Sequence, residues 1–419
     1  MMVDSKRREF LKKVSLLGGA SCFPMGCAIG EHGANKDSQI LDWVAYYDSI
    51  GIHRTESEGD RETVNWISSI AKTLNLSPQR LPYSYRKVDA YTASLKVSGI
   101  TVEGMPLYDT GSVSPQSFTG TLGPPGSECD IAVLKVPPHY GLPGGNKLLR
   151  LRKEGRYRAI VAITDATEIG IKPGLTPLNA NAYREPYGPA VIQVSAVYKE
   201  LIKAAHNKEV ATFNFNIQHR LGESSNLLVE VPGTYPELAP LVVMTPLTGW
   251  WHCASERGGG VGLWLDLLMR SAHRRPSRPI LFVATTGHEL GHYGLTELLH
   301  SRPEKFSNVH AWLHLGASFC GRNAYLQLQG SDPHLTSRSL ARMHKLNIYP
   351  DRVSSPPDKL VGEIKEVAHL GGNYLSLSGF NPWFHHPQDR WAESVDTLKT
   401  LAMAKVYRQW FDLLLEKSS

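Results

Sequence analysis

Apolar positions between residues 38 and 75 recur at helical spacing, and the Gly- and charge-rich stretch GIHRTESEGD interrupts them. This pattern predicts two helices that flank a loop. A strand-rich and turn-rich region then begins at ASLKVSG. Its apolar runs DIAVLKV, YRAIVAITD and GPAVIQVS are separated by Pro/Gly segments, which is typical of short β-strands joined by turns.

The pattern changes at Asn226, where strands begin to alternate with helices. NLLVEVPG, APLVVMTP, RPILFVATTG and VHAWLHLG have the continuous apolar character of buried strands. GVGLWLDLLMRSAHR and the C-terminal SVDTLKTLAMAKVYRQWFDLLLEK have the spacing of amphipathic helices. This alternation predicts an α/β fold in which helices cover a central sheet.

Length and composition indicate the size of the protein and argue against some classes of partner. The chain has 419 residues, of which 42% are hydrophobic and 20% charged, enough for a large core and more than one domain. Residues 1–27 contribute half of the formal net charge of +6, so the remainder predicts no nucleic-acid partner. The five cysteines lack CxxC spacing, which argues against a disulfide framework or a thiolate zinc cluster.

The N-terminus has the pattern of an export signal. Arg7 and Arg8 precede Phe10 and a short, weakly apolar run, which resembles a twin-arginine signal over residues 1–27. The stretch PMGC partly matches a lipoprotein cleavage box and leaves lipid attachment at Cys27 open. We therefore expect a periplasmic or other extracytoplasmic location, with or without a membrane anchor.

Residues 288–292, HELGH, match the HExxH string of zinc proteases. In a zincin both histidines lie on one helix face and bind one metal, while the Glu polarises its water. Here an apolar, β-branched run ends at Gly287, and Gly294 follows two residues after His292. Since this leaves room for about one helical turn, the context predicts a strand followed by a sharp turn. The zincin hypothesis therefore ranks third.

A turn at the end of a strand suits another kind of site. In open α/β sheets, catalytic groups gather on loops at the carboxyl ends of the strands. Four such loops are rich in candidate ligands and are expected to face one cleft: TPLTGWWHCASERGGG, GHELGH, HLGASFCG and FHHPQD.

The order of these segments resembles the zinc exopeptidase family of bacterial aminopeptidases, glutamate carboxypeptidase, the transferrin receptor and glutaminyl cyclases. ASERGGGVGLWLDLL stands where the family has Asp-Asn-x-Ser-Gly, TTGHELG where it has Gly-Glu-Glu, and FHHPQD where it has His-Thr-Pro-x-Asp. The resemblance implies a mixed central sheet flanked by helices. It also implies a peptidase-like domain over 38–97 and 213–419, interrupted by a β-rich protease-associated domain over 98–212.

The resemblance also implies a reduced metal site. The positions of the family's first zinc ligands carry Pro246, Thr248 and Gly316, of which the proline and glycine side chains cannot ligate. The second ion's positions carry three competent ligands, so we expect one zinc ion. These predicted ligands are Glu256, Glu289 and His385.

Other candidates surround these positions. His288 occupies the family's general-base position; base and structural roles weigh equally, and a ligand role less. Arg257 is a candidate clamp for a substrate carboxylate or, alternatively, an ion-pair partner of Glu256. Trp251 is a candidate aromatic wall or a packing residue, and Tyr374 is a loosely matched substrate-side group. Three more histidines are candidate replacement ligands: His252, His292 and His314.

The leading hypothesis is an exported metallopeptidase-like hydrolase or acyl transferase with one metal, acting on a peptide or another amide. The losses at Pro246, Thr248 and Gly316 motivate an alternative: an inactive family member that acts as a binding module.

Overall fold

The computed structural model describes residues 34–111 and 114–416 and has a mixed α/β fold, which confirms the predicted fold class. The expected export signal and Cys27 lie outside the described residues. The α-helices are α1 (Ala34–Ile50), α2 (Glu58–Thr73), α3 (Asn146–Glu154), α4 (Leu201–His206), α5 (Gly259–His273), α6 (Tyr293–Ser301), α7 (Pro303–Phe306), α8 (Pro333–His344), α9 (Ile364–Val367), α10 (Trp391–Ser394) and α11 (Thr397–Leu415).

The strands include all of the apolar runs singled out in the sequence. They are β1 (Pro78–Val97), β2 (Ile100–Glu103), β3 (Met105–Pro106), β4 (Gln116–Gly123), β5 (Ile131–Val136), β6 (Ala159–Thr164), β7 (Ala190–Ser195), β8 (Val210–Val231), β9 (Leu241–Pro246), β10 (Ile280–Thr285), β11 (Ala311–Leu315), β12 (Tyr325–Gly330), β13 (Arg352–Ser354) and β14 (Asn373–Phe380).

Four neighbouring parallel strands, in the order β14-β11-β9-β10, form the centre of the sheet. Strands β9, β10 and β11 are buried along their whole length, because helices cover both faces. Val243 of β9 belongs to a buried cluster that includes side chains of α1, α2, α5, α8 and α11, whereas Val242, on the opposite face, belongs to a cluster with side chains of α6, α7 and α9. The parallel strands therefore end in loops at the same edge of the sheet.

A long two-stranded ribbon connects this sheet to a second group of strands. Strands β1 and β8 pair antiparallel over most of their length, with a register shift between Val88 and Ala90. The C-terminal end of β8 also pairs with β10, and its N-terminal end pairs with β4, which leads into the parallel run β4-β5-β6-β7. The sequence pattern did not reveal that residues 210–231 form one continuous strand.

The second group of strands is covered by α3 and α4, whose apolar residues pack on its two faces. Assignment of residues 98–212 to a protease-associated domain, with those boundaries, stays a prediction. Within the described residues, none of the helices has both the length and the apolar character of a membrane span.

Removal of a central aromatic side chain tests this packing. Trp264 of α5 is fully buried, meets Phe282 edge to face, and donates a hydrogen bond from Nε1 to the Val243 carbonyl at 3.1 Å. We expect Trp264→Ala to lower the free energy of unfolding by about 3–5 kcal/mol, measured by urea titration with circular dichroism. The exposed Leu398→Ala control should change it by less than about 0.5 kcal/mol. Equal effects would contradict this assignment of the core.

Candidate functional site

The loops after β9, β10, β11 and β14 meet at one edge of the sheet, as the sequence predicted. Glu256 and Arg257 lie in a π-helical turn, Ala254–Gly258, which begins after Cys253 in a left-handed conformation (φ 55°). The Asp389 carboxylate fixes this turn by accepting hydrogen bonds from the backbone N–H groups of Ser255 at 2.9 Å and Glu256 at 3.0 Å. The FHHPQD segment, through Asp389, thus determines where the Glu256 and Arg257 side chains lie.

The HELGH stretch forms two short pieces. A 3₁₀ turn, His288–Leu290, lies between Gly287 and Gly291, which both have positive φ angles, and α6 begins only at Tyr293. His292 is also left-handed, with φ 62°. Because a continuous helix does not carry both histidines, the structure lacks the geometry of a zincin, and the predicted strand and sharp turn are confirmed.

Arg257 lies at the centre of this edge, and its side chain is 1% exposed. Its Nη2 is 2.8 Å from Glu256 Oε1, and its Nε donates to the Thr248 carbonyl at 2.9 Å. Among the residues that the structure describes, Nη1 has no hydrogen-bond partner. After burial, the guanidinium charge is a further cause of the lowered pKa of His288, His314 and His385.

Glu289 is fully buried, and both carboxylate oxygens have donors. Oε1 accepts from the Thr55 backbone N–H at 2.6 Å, and Oε2 accepts from Thr248 Oγ1 at 2.9 Å. Thr248 Oγ1 also accepts from the His288 backbone N–H at 3.1 Å. Thr248 therefore acts as a hydrogen-bonding hub.

His385 faces Glu256 across a short gap. Its Nδ1 lies 2.6 Å from the Pro177 carbonyl, so Nδ1 carries the hydrogen and Nε2 carries the lone pair. Nε2 is 3.6 Å from Glu256 Oε1. Burial lowers the pKa of His385 to about 3 and raises that of Glu256, so the ring is neutral at pH 7.

The predicted zinc ligands do not fit a zinc site in this arrangement. Glu256 Oε1, which lies 3.6 Å from His385 Nε2, is contacted by Arg257 Nη2 at 2.8 Å, so a second cation at this oxygen would be repelled. The third predicted ligand, Glu289, already accepts two hydrogen bonds. No group of three or more His, Cys, Asp or Glu side chains with metal-binding geometry is found among residues 34–111 and 114–416.

Packing fills the space at one of the lost ligand positions, Gly316. A Cβ atom added at Gly316 would lie 2.0 Å from Ser378 Oγ, so the space for the family's aspartate is filled. His314 Nδ1 bonds Ser376 Oγ at 2.8 Å, and His292 Nδ1 lies 2.9 Å from Glu366 Oε1. His314 and His292 are therefore each held by a neighbour at Nδ1.

A carboxylate missed at the sequence level accompanies His288. Glu363, immediately before α9, is fully buried, and its Oε1 lies 3.1 Å from His288 Nδ1. Its Oε2 accepts from Thr285 Oγ1 at 2.7 Å. Glu363 and His288 are 75 residues apart, and a single sequence gives no indication that such distant residues are in contact. The only sequence signal for the contact is that Glu363 and Glu366 are spaced by about one helical turn, as His288 and His292 are.

The remaining predicted substrate-binding residues fall in different places. Trp251 is half-buried and donates from Nε1 to the His385 carbonyl at 2.9 Å, so it borders the site. Arg257 has the ion pair with Glu256 that was the alternative to a substrate clamp. Tyr374 is not brought to the site: it lies near the amino end of β14, opposite Trp312, among apolar core residues.

A segment between β6 and β7 covers the site. The Ala180 backbone N–H donates to the Glu289 carbonyl at 2.8 Å, and Asn179 Oδ1 accepts from Trp250 Nε1 at 3.0 Å. Together with the contact of Pro177 and His385, these bonds join the second group of strands to the candidate site. The cover accounts for the low exposure of the site side chains.

No protein-family profile and no curated protein matches this sequence. Solved structures do resemble it. A peptidase M28 precursor from Shewanella amazonensis aligns with TM-score 0.71 and 16% identity over 92% of this chain and 96% of that one. A zinc aminopeptidase from Bacillus subtilis aligns with TM-score 0.69 and 13% identity over 91% of this chain and 96% of that one. An aminopeptidase from Aneurinibacillus aligns with TM-score 0.64 and 14% identity over 90% of this chain and 93% of that one. The chain has the M28 aminopeptidase fold. Identities this low establish the fold alone.

Metal analysis tests the ligand argument directly. Because Arg257 contacts the Glu256 oxygen that faces His385, we expect substoichiometric zinc after the purified chain is incubated with zinc and dialysed. Inductively coupled plasma mass spectrometry measures the ratio. The variant Arg257→Met, which removes the competing cation, should retain more zinc than the parent chain. One tightly held zinc ion per parent chain would contradict the conclusion that these ligands do not form a zinc site, and would favour the single-zinc hypothesis.

Proposed function

We propose that this chain is a hydrolase of peptides or related amides in which fixed protein groups carry the chemistry of the site. The observation that carries the proposal is the electrostatic effect of the buried Arg257 guanidinium on the imidazole at the family's base position, whose pKa it lowers further after burial. The M28 aminopeptidase fold supports a peptide or another amide as the substrate class. The expected single zinc ion is not used in this proposal, because its ligands do not fit.

His288 is the proposed general base. Burial, followed by the charge of Arg257, lowers its pKa well below the usual value, so the ring is neutral at pH 7 and holds a free lone pair. Water adds to the amide carbonyl carbon while one of its protons passes to His288. The same proton then moves to the amide nitrogen as the C–N bond breaks, which releases an amine and a carboxylic acid.

Arg257 supplies the positive charge beside this reaction. Its Nη1 is a buried donor without a partner, and Nε and Nη2 are fixed by Thr248 and Glu256. A preorganised donor of this kind stabilises the negative charge that develops on a carbonyl oxygen. The segment that carries Asn179 and Ala180 excludes water from the site, so the substrate enters only when that segment moves aside.

Export belongs to the proposal as well. The twin-arginine pattern at Arg7 and Arg8 supports an extracytoplasmic hydrolase, with Cys27 as a candidate lipid attachment site.

The test is hydrolysis of a panel of aminoacyl p-nitroanilides and short peptides in the presence of a chelator. We expect turnover that the chelator leaves unchanged, and a kcat lower by about 10²–10⁴-fold in His288→Gln, because the base is lost. His300→Gln, on the exposed surface of α6, is the matched control and should retain the parent kcat.

Two outcomes contradict the proposal. Activity that disappears with chelator and returns with zinc would favour the single-metal hydrolase predicted from the sequence. Absence of turnover across the panel, with intact folding by circular dichroism, would favour the binding-module alternative.

A further inference from the structure

We propose that Glu363 is a positioning residue that holds His288 in the tautomer with hydrogen on Nδ1 and the lone pair on Nε2. The effect of this tautomer on catalysis rests on the proposed function. The tautomer itself is a property of the resting protein and is tested without any substrate.

The geometry around Glu363 fixes both of its oxygens. Oε2 accepts from Thr285 Oγ1 at 2.7 Å, at the end of β10, and Oε1 lies 3.1 Å from His288 Nδ1. Glu363 is fully buried, so water does not compete for these positions. The carboxylate therefore lies between a strand end and the imidazole, with one oxygen directed to each.

This arrangement selects a tautomer because a carboxylate only accepts. An imidazole nitrogen that faces it must carry the hydrogen, and the other nitrogen then keeps the lone pair. The His288 main chain is fixed as well, through its N–H bond to Thr248 Oγ1 at 3.1 Å. Both backbone and ring are thus oriented, and Nε2 is the nitrogen left to take a proton from water.

The chain contains a second histidine–glutamate pair, His292 and Glu366, whose glutamate is more exposed than Glu363. His292 Nδ1 lies 2.9 Å from Glu366 Oε1, one turn from the His288–Glu363 pair, and the two imidazole centroids are 4.7 Å apart. Glu366 is 31% exposed and also contacts Lys365 Nζ at 3.4 Å. Since His292 is not part of the proposed reaction, Glu366→Gln is a control with the same chemistry at a neighbouring histidine.

The direct experiment is ¹⁵N NMR of the full chain labelled at histidine, recorded at pH 8.5. Burial raises the pKa of Glu363 to about 7, so its carboxyl group is ionised at this pH. His288 is assigned from the signal lost in His288→Gln. We expect a protonated Nδ1 and an unprotonated Nε2 in the parent chain and in Glu366→Gln.

Glu363→Gln should change this spectrum. With its amide oxygen turned towards Thr285, the glutamine donates its N–H to His288 Nδ1 and moves the ring hydrogen to Nε2. We expect kcat to fall by about 10²-fold or more with KM unchanged, because the base is then in the wrong tautomer. Glu366→Gln should keep the parent kcat.

Thr285→Val provides a second variant should Glu363→Gln fold poorly. It frees one oxygen of Glu363 but keeps the carboxylate, so we expect a mixture of His288 tautomers and a smaller fall in kcat. Hydrogen on Nε2 of His288 in the parent chain would overturn the inference, as would a tautomer unchanged in Glu363→Gln. The predicted tautomer in a chain without hydrolytic activity would uphold the positioning by Glu363 and refute only the proposed function.

Discussion

The buried ion pair between Arg257 and Glu256 is the constraint on which the rest of the site depends. Both side chains are 1% exposed, and removal of one partner from such a pair costs about 3–5 kcal/mol, because an unpaired charge then stays buried. The pair comes from adjacent residues in one π-helical turn, which Asp389 holds in place. A cation supplied by the chain therefore lies at the Glu256 oxygen that faces His385.

Burial determines the charge states around this cation. It raises the pKa of Glu256 and Glu289 and lowers that of His288 and His385, so the imidazoles are neutral at pH 7. The cover formed by Pro177, Asn179 and Ala180 creates this environment, although these residues are far in sequence from the strand-end loops. The second group of strands thus affects the chemistry of the site through desolvation as well as through contact.

The sequence located the site better than it described its chemistry. Continuous apolar runs identified β9, β10 and β11, and the loops after them converge because parallel strands end at one edge. The resemblance placed Glu256 beside His385, 3.6 Å apart in the structure. It did not anticipate that Thr55 and Thr248 would occupy both oxygens of Glu289, since a hydrogen bond between distant segments leaves no pattern in one sequence.

What the sequence by itself determined was local: which runs are strands, where a sharp turn follows at Gly287, and which residues lack a ligating side chain, such as Gly316. Only the tertiary structure determined which side chains are in contact. It paired Arg257 with Glu256, gave His288 the carboxylate of Glu363, and left Tyr374 near the far end of its strand. Periodicity reports only the environment of a side chain, whereas its partners depend on how distant segments pack.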